Sequence, residues 1–319
     1  MAPKILILGK YGQIGGALMH ILGERAHGVR QGDANFLDAG FTEKLDAIAA
    51  KQPLSAVINA VAYTQVDKAE AEGRDEAFRI NATAVAELAA WCKKRNVPLV
   101  HYSSDYIFDG SGDKPQCEGK TPHPLNAYGE SKLAGEQAIR ETGGKYLIFR
   151  TSWVYSATGK NFFNTILRLL YERDELNVVD DQVGAPTYAP HLAQATMEAL
   201  ECASGLAEFP SGLYHLCNAG EVSWYGFAQG IFALARKAET GQSSSIKCQR
   251  INPIPSHAYP MPARRPLNSR LDCTHAREVF GIAMLPWKAG LAACMEETYA
   301  GSRLPHTRPE NHQAQPSGG

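Results

Sequence analysis

The sequence predicts an α/β fold built on a doubly wound parallel sheet. Three observations predict it. Short apolar runs fall at residues 4–8, 56–59, 99–102 and 146–150, as strands buried on both faces should. Helical patterns separate them, chiefly over 75–95 and 127–141. A glycine-rich turn joins the first run to the first helical pattern. Strands alternating with helices imply right-handed crossovers and a parallel sheet covered on both faces.

The elements follow in order. Ile5, Leu6, Ile7 and Leu8 form the first run. Gly9-Lys10-Tyr11-Gly12-Gln13-Ile14-Gly15-Gly16 comes next, and then Ala17, Leu18, Ile21 and Leu22 recur at helical spacing. In 75–95, Phe78, Val85, Leu88, Ala89 and Cys92 make one apolar stripe. After residue 152 the rhythm loosens, with Gly184-Ala185-Pro186, Asn252-Pro253-Ile254-Pro255 and Pro260-Met261-Pro262. Helical stretches persist at Phe162–Glu172, 191–203 and 224–237. The expected organisation is a dinucleotide-binding domain over 1–152 and a smaller, mixed, mainly substrate-binding domain over 153–303. Some later segments return to the first domain. Residues 304–319, rich in Pro, Gly, Gln and His, read as a disordered tail.

Composition narrows the function. The 319 residues are 44% hydrophobic and 20% charged, with a net charge of -1. Such a chain has no basic surplus with which to neutralise a phosphate backbone, so nucleic acid is not an expected partner. No apolar run approaches the length of a membrane span, and the first is too short for a signal peptide. The seven cysteines are scattered, with no Cys-x-x-Cys pair. They read as small buried hydrophobes in a reducing cytoplasm, and no metal site is expected.

The glycines carry the first chemical signal. Gly9, Gly12 and Gly15 stand three apart after a strand and before a helix. Glycine permits the tight turn and lets backbone N–H groups approach a pyrophosphate at the helix N-terminus. The second strand should end near Val29-Arg30. Arg30 falls where the 2′-phosphate of NADP would lie, which favours NADPH over NADH; a solvated surface arginine fits the position equally well. Asp38 stands where it could meet the adenine.

Tyr128 and Lys132, at i and i+4, share one helix face. A solvated face would produce the same pair, but the run 99–102 ends in Ser103-Ser104-Asp105-Tyr106. Ligands gather at the carboxyl ends of parallel strands, which brings Ser104 toward Tyr128. A carbonyl reduced by hydride needs a proton donor. Tyrosine serves if a neighbouring ammonium lowers its pKa, and a serine hydroxyl can fix the substrate oxygen.

This combination resembles the extended short-chain dehydrogenases/reductases. Longer strings resemble the dTDP-4-dehydrorhamnose reductase family within them: 59–70 (NAVAYTQVDKAE), 102–110 (YSSDYIFDG), 150–155 (RTSWVY), 181–187 (DQVGAPT) and 263–271 (ARRPLNSRL). The resemblance runs from Lys4 to about Tyr299. It implies NAD(P)H-dependent reduction of the C4 keto group of dTDP-4-dehydro-L-rhamnose, the last step of dTDP-L-rhamnose synthesis. By match to the motif, Tyr128 is the proton donor and Lys132 holds the nicotinamide ribose and lowers the tyrosine pKa. Ser104 replaces the family's usual threonine and keeps its hydroxyl. Asp105, Tyr106 and Trp153 match positions lining the sugar pocket. Gly12, Gln13, Ile14, Asp38, Ala60, Val61, Ala62 and Tyr63 fall on cofactor-binding stretches, beside Gly9 and Gly15 of the turn. Arg264 and Arg265 stand between two readings, a diphosphate contact and a structural ion pair.

Some members dimerise through Mg2+ held by glutamates. Here Gly15-Gly16-Ala17 and Ala189-Pro190 carry no carboxylate, so that metal bridge is not expected, although a homodimer remains open. The chemistry itself requires no Mg2+. Other readings are a reductase of another dTDP-4-keto-6-deoxy sugar, an epimerase retaining NAD, and a non-catalytic dinucleotide-binding regulatory subunit. The complete Ser, Tyr and Lys set speaks for catalysis.

Overall fold

The computed structural model describes residues 2–238 and 246–302. The tail expected over 304–319 lies outside the described residues.

The first half contains β1 (Lys4–Leu8), α1 (Gln13–Leu22), β2 (Ala26–Val29), α2 (Phe41–Ala49), β3 (Leu54–Asn59), α3 (Val66–Ala69), α4 (Arg74–Phe78), α5 (Ala84–Lys94), β4 (Leu99–Ser104), α6 (Ala127–Thr142) and β5 (Tyr146–Thr151). The second contains β6 (Val154–Tyr155), α7 (Phe162–Glu172), β7 (Glu175–Val179), β8 (Val183–Gly184), β9 (Thr187–Tyr188), α8 (Ala189–Gly205), β10 (Gly212–His215), β11 (Val222–Ser223), α9 (Trp224–Ala238), β12 (Arg250–Ile254), α10 (Thr274–Phe280) and α11 (Trp287–Ser302).

Six strands form one parallel sheet in the order β10-β5-β4-β3-β1-β2. Alternation within β1 divides its side chains between two cores. Ile5 and Ile7 pack with Leu18 of α1 and with Leu192 and Leu200 of α8. Leu6 and Leu8 pack with Val85 and Leu88 of α5 and with Ile139 of α6. The sheet is therefore covered on both faces, and only β10 comes from beyond residue 152. A third core joins α7, α9 and α11 through Phe163, Leu170, Phe227, Ile231 and Leu291. There β7 and β12 form a separate parallel pair.

The helix expected over 75–95 is interrupted. Residues Arg79–Thr83 form a π-helical turn between α4 and α5. Such turns accommodate a side chain the regular helix would misdirect. Here the residue is Asn81, fully buried, whose amide bonds both backbone polar groups of Tyr63 and the hydroxyl of Ser131. Among the described residues, no helix is long and apolar enough to cross a membrane.

Candidate active site

The glycine turn is built by close contact. Gly9 has φ +82, and a Cβ there would meet the Ala60 backbone at 3.1 Å. Gly12 donates its N–H to the Gly9 carbonyl oxygen at 2.9 Å. A Cβ on Gly15 would fall 2.1 Å from that same oxygen, so Gly15 is required for helix–strand packing. Gly9, Gly12, Arg30, Phe36, Val61 and Tyr63 line a groove of about 420 Å³. Arg30 also pairs with Asp33 at 3.0 Å. Asp38 is not at this groove. Its carboxylate is drawn to Lys44 at 2.8 Å, and Asn35 and Phe36 line the groove in its stead.

A cavity of about 650 Å³ shares Gly12, Ala60, Val61 and Ala62 with the groove and runs on to Ser104, Tyr128 and Lys132. Gln13 and Ile14 also face it, but the Gln13 carbonyl oxygen is taken by Ser156 and Asn161, which ties α1 to the second half.

Helix α6 carries two of the three expected catalytic groups. Its N-cap Asn126 accepts from the Gly129 N–H at 2.8 Å, and Gly143 closes its C-terminus in the left-handed region. A Cβ on Gly129 would lie 2.2 Å from the Tyr106 carbonyl oxygen. Glycine there lets the helix start abut the turn after β4, which brings Tyr128 to Ser104. The Ser104 hydroxyl accepts from the Tyr106 N–H at 3.1 Å, donates to Asp105 at 3.0 Å, and stands near enough to the Tyr128 hydroxyl to favour its ionised form.

Lys132 is almost wholly buried. Its Nζ donates to the Tyr102 carbonyl oxygen at 2.6 Å and lies 3.4 Å from Nε2 of His101. Asn59 meets the other His101 nitrogen at 3.1 Å and accepts from the Val61 N–H at 3.0 Å. Burial lowers Lys132 to about 8, with Glu136 pulling upward. Burial and the Lys132 charge hold His101 well below the usual histidine range. Asp105 is raised to about 6 by burial, with the Ser269 and Ser104 hydroxyls opposing.

Tyr128 departs from expectation. Burial raises it to about 12; Ser104 opposes that rise and the Asp105 charge adds to it. The lowering expected from Lys132 is absent because the Lys132 ammonium is turned to the Tyr102 carbonyl and is itself buried.

Trp153 has φ +50, rare for a bulky residue, and its ring lies against Gly184, where a Cβ would come within 2.8 Å. Trp224 at the start of α9 stacks on Trp153 with centroids 3.5 Å apart and 10° between planes. Both indoles line the large cavity, as do Asp105 and Tyr106. Of the two arginines, Arg265 pairs with Asp67 at 2.8 Å and sets its charge near the Tyr106 hydroxyl. His101, Asn59, Asn81 and Trp224 were missed at the level of sequence. A polar Asn81 inside an apolar helical stripe was a usable signal; Trp224, opening a helical pattern, offered none.

The family model for the RmlD substrate binding domain matches residues 3–300. A dTDP-4-dehydrorhamnose reductase from Burkholderia thailandensis is 44% identical over 300 residues, covering 92% of this chain and 98% of the relative. The chain belongs to the dTDP-4-dehydrorhamnose reductase family. The Escherichia coli K12 dTDP-4-dehydrorhamnose reductase is 41% identical over 303 residues, covering 93% and 98%. The crystal structure of dTDP-4-dehydrorhamnose reductase from Bacillus anthracis, in complex with NADP, superposes with a TM-score of 0.82 at 31% identity, covering 93% of this chain and all of that one. Among the described residues of this family member, no group of three or more His, Cys, Asp or Glu residues is placed to hold a metal ion.

Proposed function

We propose that this protein reduces the C4 keto group of dTDP-4-dehydro-L-rhamnose to the hydroxyl of dTDP-L-rhamnose, with NADPH as reductant. One observation carries the reading: Ser104, Tyr128 and Lys132 meet in a cavity continuous with the glycine-turn groove. Family membership names the sugar nucleotide, and the NADP complex of the Bacillus anthracis relative supports the cofactor.

The residues fit a dinucleotide. A Cβ at Gly9 would press on the Ala60 backbone at 3.1 Å, and the Val61 and Tyr63 backbones are held by Asn59 and Asn81. Gly9, Gly12, Ala60, Val61 and Ala62 would hold it, with Arg30 near the adenosine end. When bound, the nicotinamide supplies the hydride. The protein's own residues do the rest. Ser104, turning its hydroxyl proton from Asp105 to the C4 oxygen, orients it. Tyr128, kept protonated by its raised pKa, delivers the proton to the developing alkoxide. Lys132, with a pKa of about 8, remains largely an ammonium at pH 7, and it holds the ribose. The two indoles and Tyr106 shield the sugar from water, where apolar C–H faces meet aromatic faces. Residues 1–152 with β10 would form the dinucleotide half, and the remainder the sugar-nucleotide half. Both reactants are soluble metabolites of the cytoplasm, where we place the protein.

The test is a coupled assay. The keto sugar is generated in situ from dTDP-glucose by the upstream dehydratase and epimerase, and NADPH oxidation is followed. Oxidation that requires both this protein and the keto sugar is expected. A folded protein that binds NADPH yet leaves it unoxidised would overturn the proposal.

A further inference from the structure

Cys217 lies just beyond β10 and Cys273 just before α10. Their sulfurs are 3.5 Å apart, a meeting that the scattered cysteine spacing did not anticipate. Both thiols approach the Leu271 carbonyl oxygen, and Cys273 also approaches the carbonyl oxygen of Cys217. The pair sits at the floor of a cavity of about 390 Å³, separate from the catalytic one, whose walls include Asn218, Arg270, Arg277 and Met284. Cys217 is buried and Cys273 is partly exposed. Four of the remaining cysteines, Cys92, Cys202, Cys248 and Cys294, show no sulfur neighbour of this kind, and Cys117 is exposed.

We propose that Cys217 and Cys273 form a reversible dithiol modification site that is oxidised to a disulfide by a small anionic disulfide of the glutathione type. A disulfide requires the sulfurs to close from 3.5 Å to about 2.05 Å, a movement within reach of side-chain rotation. Arg277 on the cavity wall suits a carboxylate of such a reagent, whereas Arg270 is held by Glu221, which with Asp272 also lines the cavity. The accessible thiol is the attacking one. The contact between the two sulfurs holds the Cys273 thiol below its ordinary pKa and raises that of Cys217.

The Cys273 thiolate attacks one sulfur of the reagent, breaking its S–S bond and expelling one thiolate. That thiolate takes up a proton. Cys217 then gives up its own proton and attacks the Cys273 sulfur of the mixed disulfide, expelling the second thiolate, which is protonated in turn. Two protein thiols are oxidised and one small disulfide is reduced to two thiols. The cysteines are packed in a cluster with Ile107, Phe108 and Leu133, which follow the Ser104–Tyr106 turn and Lys132 in the chain.

The experiment treats reduced, full-length protein with glutathione disulfide, then alkylates it in denaturant and maps the peptides by mass spectrometry. A cross-link between the Cys217 and Cys273 peptides is expected, with loss of two alkylatable thiols from this pair and their recovery on adding dithiothreitol. The exposed Cys117 reports that the reagent is active. In Cys217→Ser, Cys273 should instead remain as a stable glutathione mixed disulfide. The proposal is overturned if both thiols stay alkylatable while Cys117 has reacted, or if Cys217→Ser leaves Cys273 unmodified under those conditions.

Discussion

Lys132 Nζ lies 3.4 Å from His101 Nε2, with both side chains sealed from solvent. His101 meets Asn59, and Asn59 holds the Val61 amide. A line of polar contacts thus joins the lysine of α6 to the backbone at the groove. The position of Lys132 and the shape of the proposed cofactor site are set together.

Substituting Lys132→Met should raise the KM for NADPH and lower kcat by at least about a hundredfold, in keeping with the usual weight of proton-transfer groups. It should also change the dependence of stability on pH. Below about 8, Lys132 is charged both folded and unfolded, and the folded state bears the full burial cost. That cost fades as pH rises from about 8 toward the unfolded value near 10.4. Urea denaturation should therefore show the wild type gaining on Lys132→Met between pH 7 and pH 10, by on the order of 3 kcal/mol. A constant difference across that range would refute the buried ammonium.

Tyr128→Phe removes a hydroxyl and little else. Cofactor affinity, measured by NADPH fluorescence, should stay within about twofold, and turnover should drop by roughly 10²–10⁴. A variant retaining more than a tenth of the wild-type rate would show that the proton comes from elsewhere.

Asp105 works in the opposite pH range. Burial raises its carboxyl to about 6, so the folded state bears the cost of its charge above that value and is relieved of it as pH falls toward 4. Asp105→Asn should be the more stable protein at pH 7, and its advantage should shrink at pH 4.5. Equal unfolding curves for the two proteins at pH 7 would contradict this assignment.

Trp224→Ala should weaken sugar-nucleotide binding while sparing the cofactor. Its indole stacks on that of Trp153, and both line the cavity. Aromatic pairing of about 0.5–1.5 kcal/mol corresponds to roughly a two- to twelvefold rise in the KM for the keto sugar. A rise in the KM for NADPH of the same size would place Trp224 at the wrong ligand.

Arg30→Ala should raise the KM for NADPH several-fold and leave that for NADH unchanged, since only the former carries the 2′-phosphate. Parallel steady-state titrations decide it. Equal effects on both would reduce Arg30 to a partner of Asp33.

Local patterns were legible in the sequence because their physics is local. The Gly9, Gly12 and Gly15 spacing follows from one turn between a strand and a helix. Tyr128 and Lys132 share a face because four residues are about one helical turn. The four apolar runs lie within β1, β3, β4 and β5 of the sheet. What only the tertiary structure decided lies in contacts between distant segments. Strand β10 joins β5 across the whole of the intervening half. Asp38 turns to Lys44 and leaves the groove to Phe36. Trp224 stacks on Trp153, Lys132 reaches His101, and Cys217 meets Cys273, each from another element of the fold. No periodicity encodes such meetings. They follow from how the helices pack on the sheet, and that packing also sets the burial that raises Tyr128 and lowers Lys132.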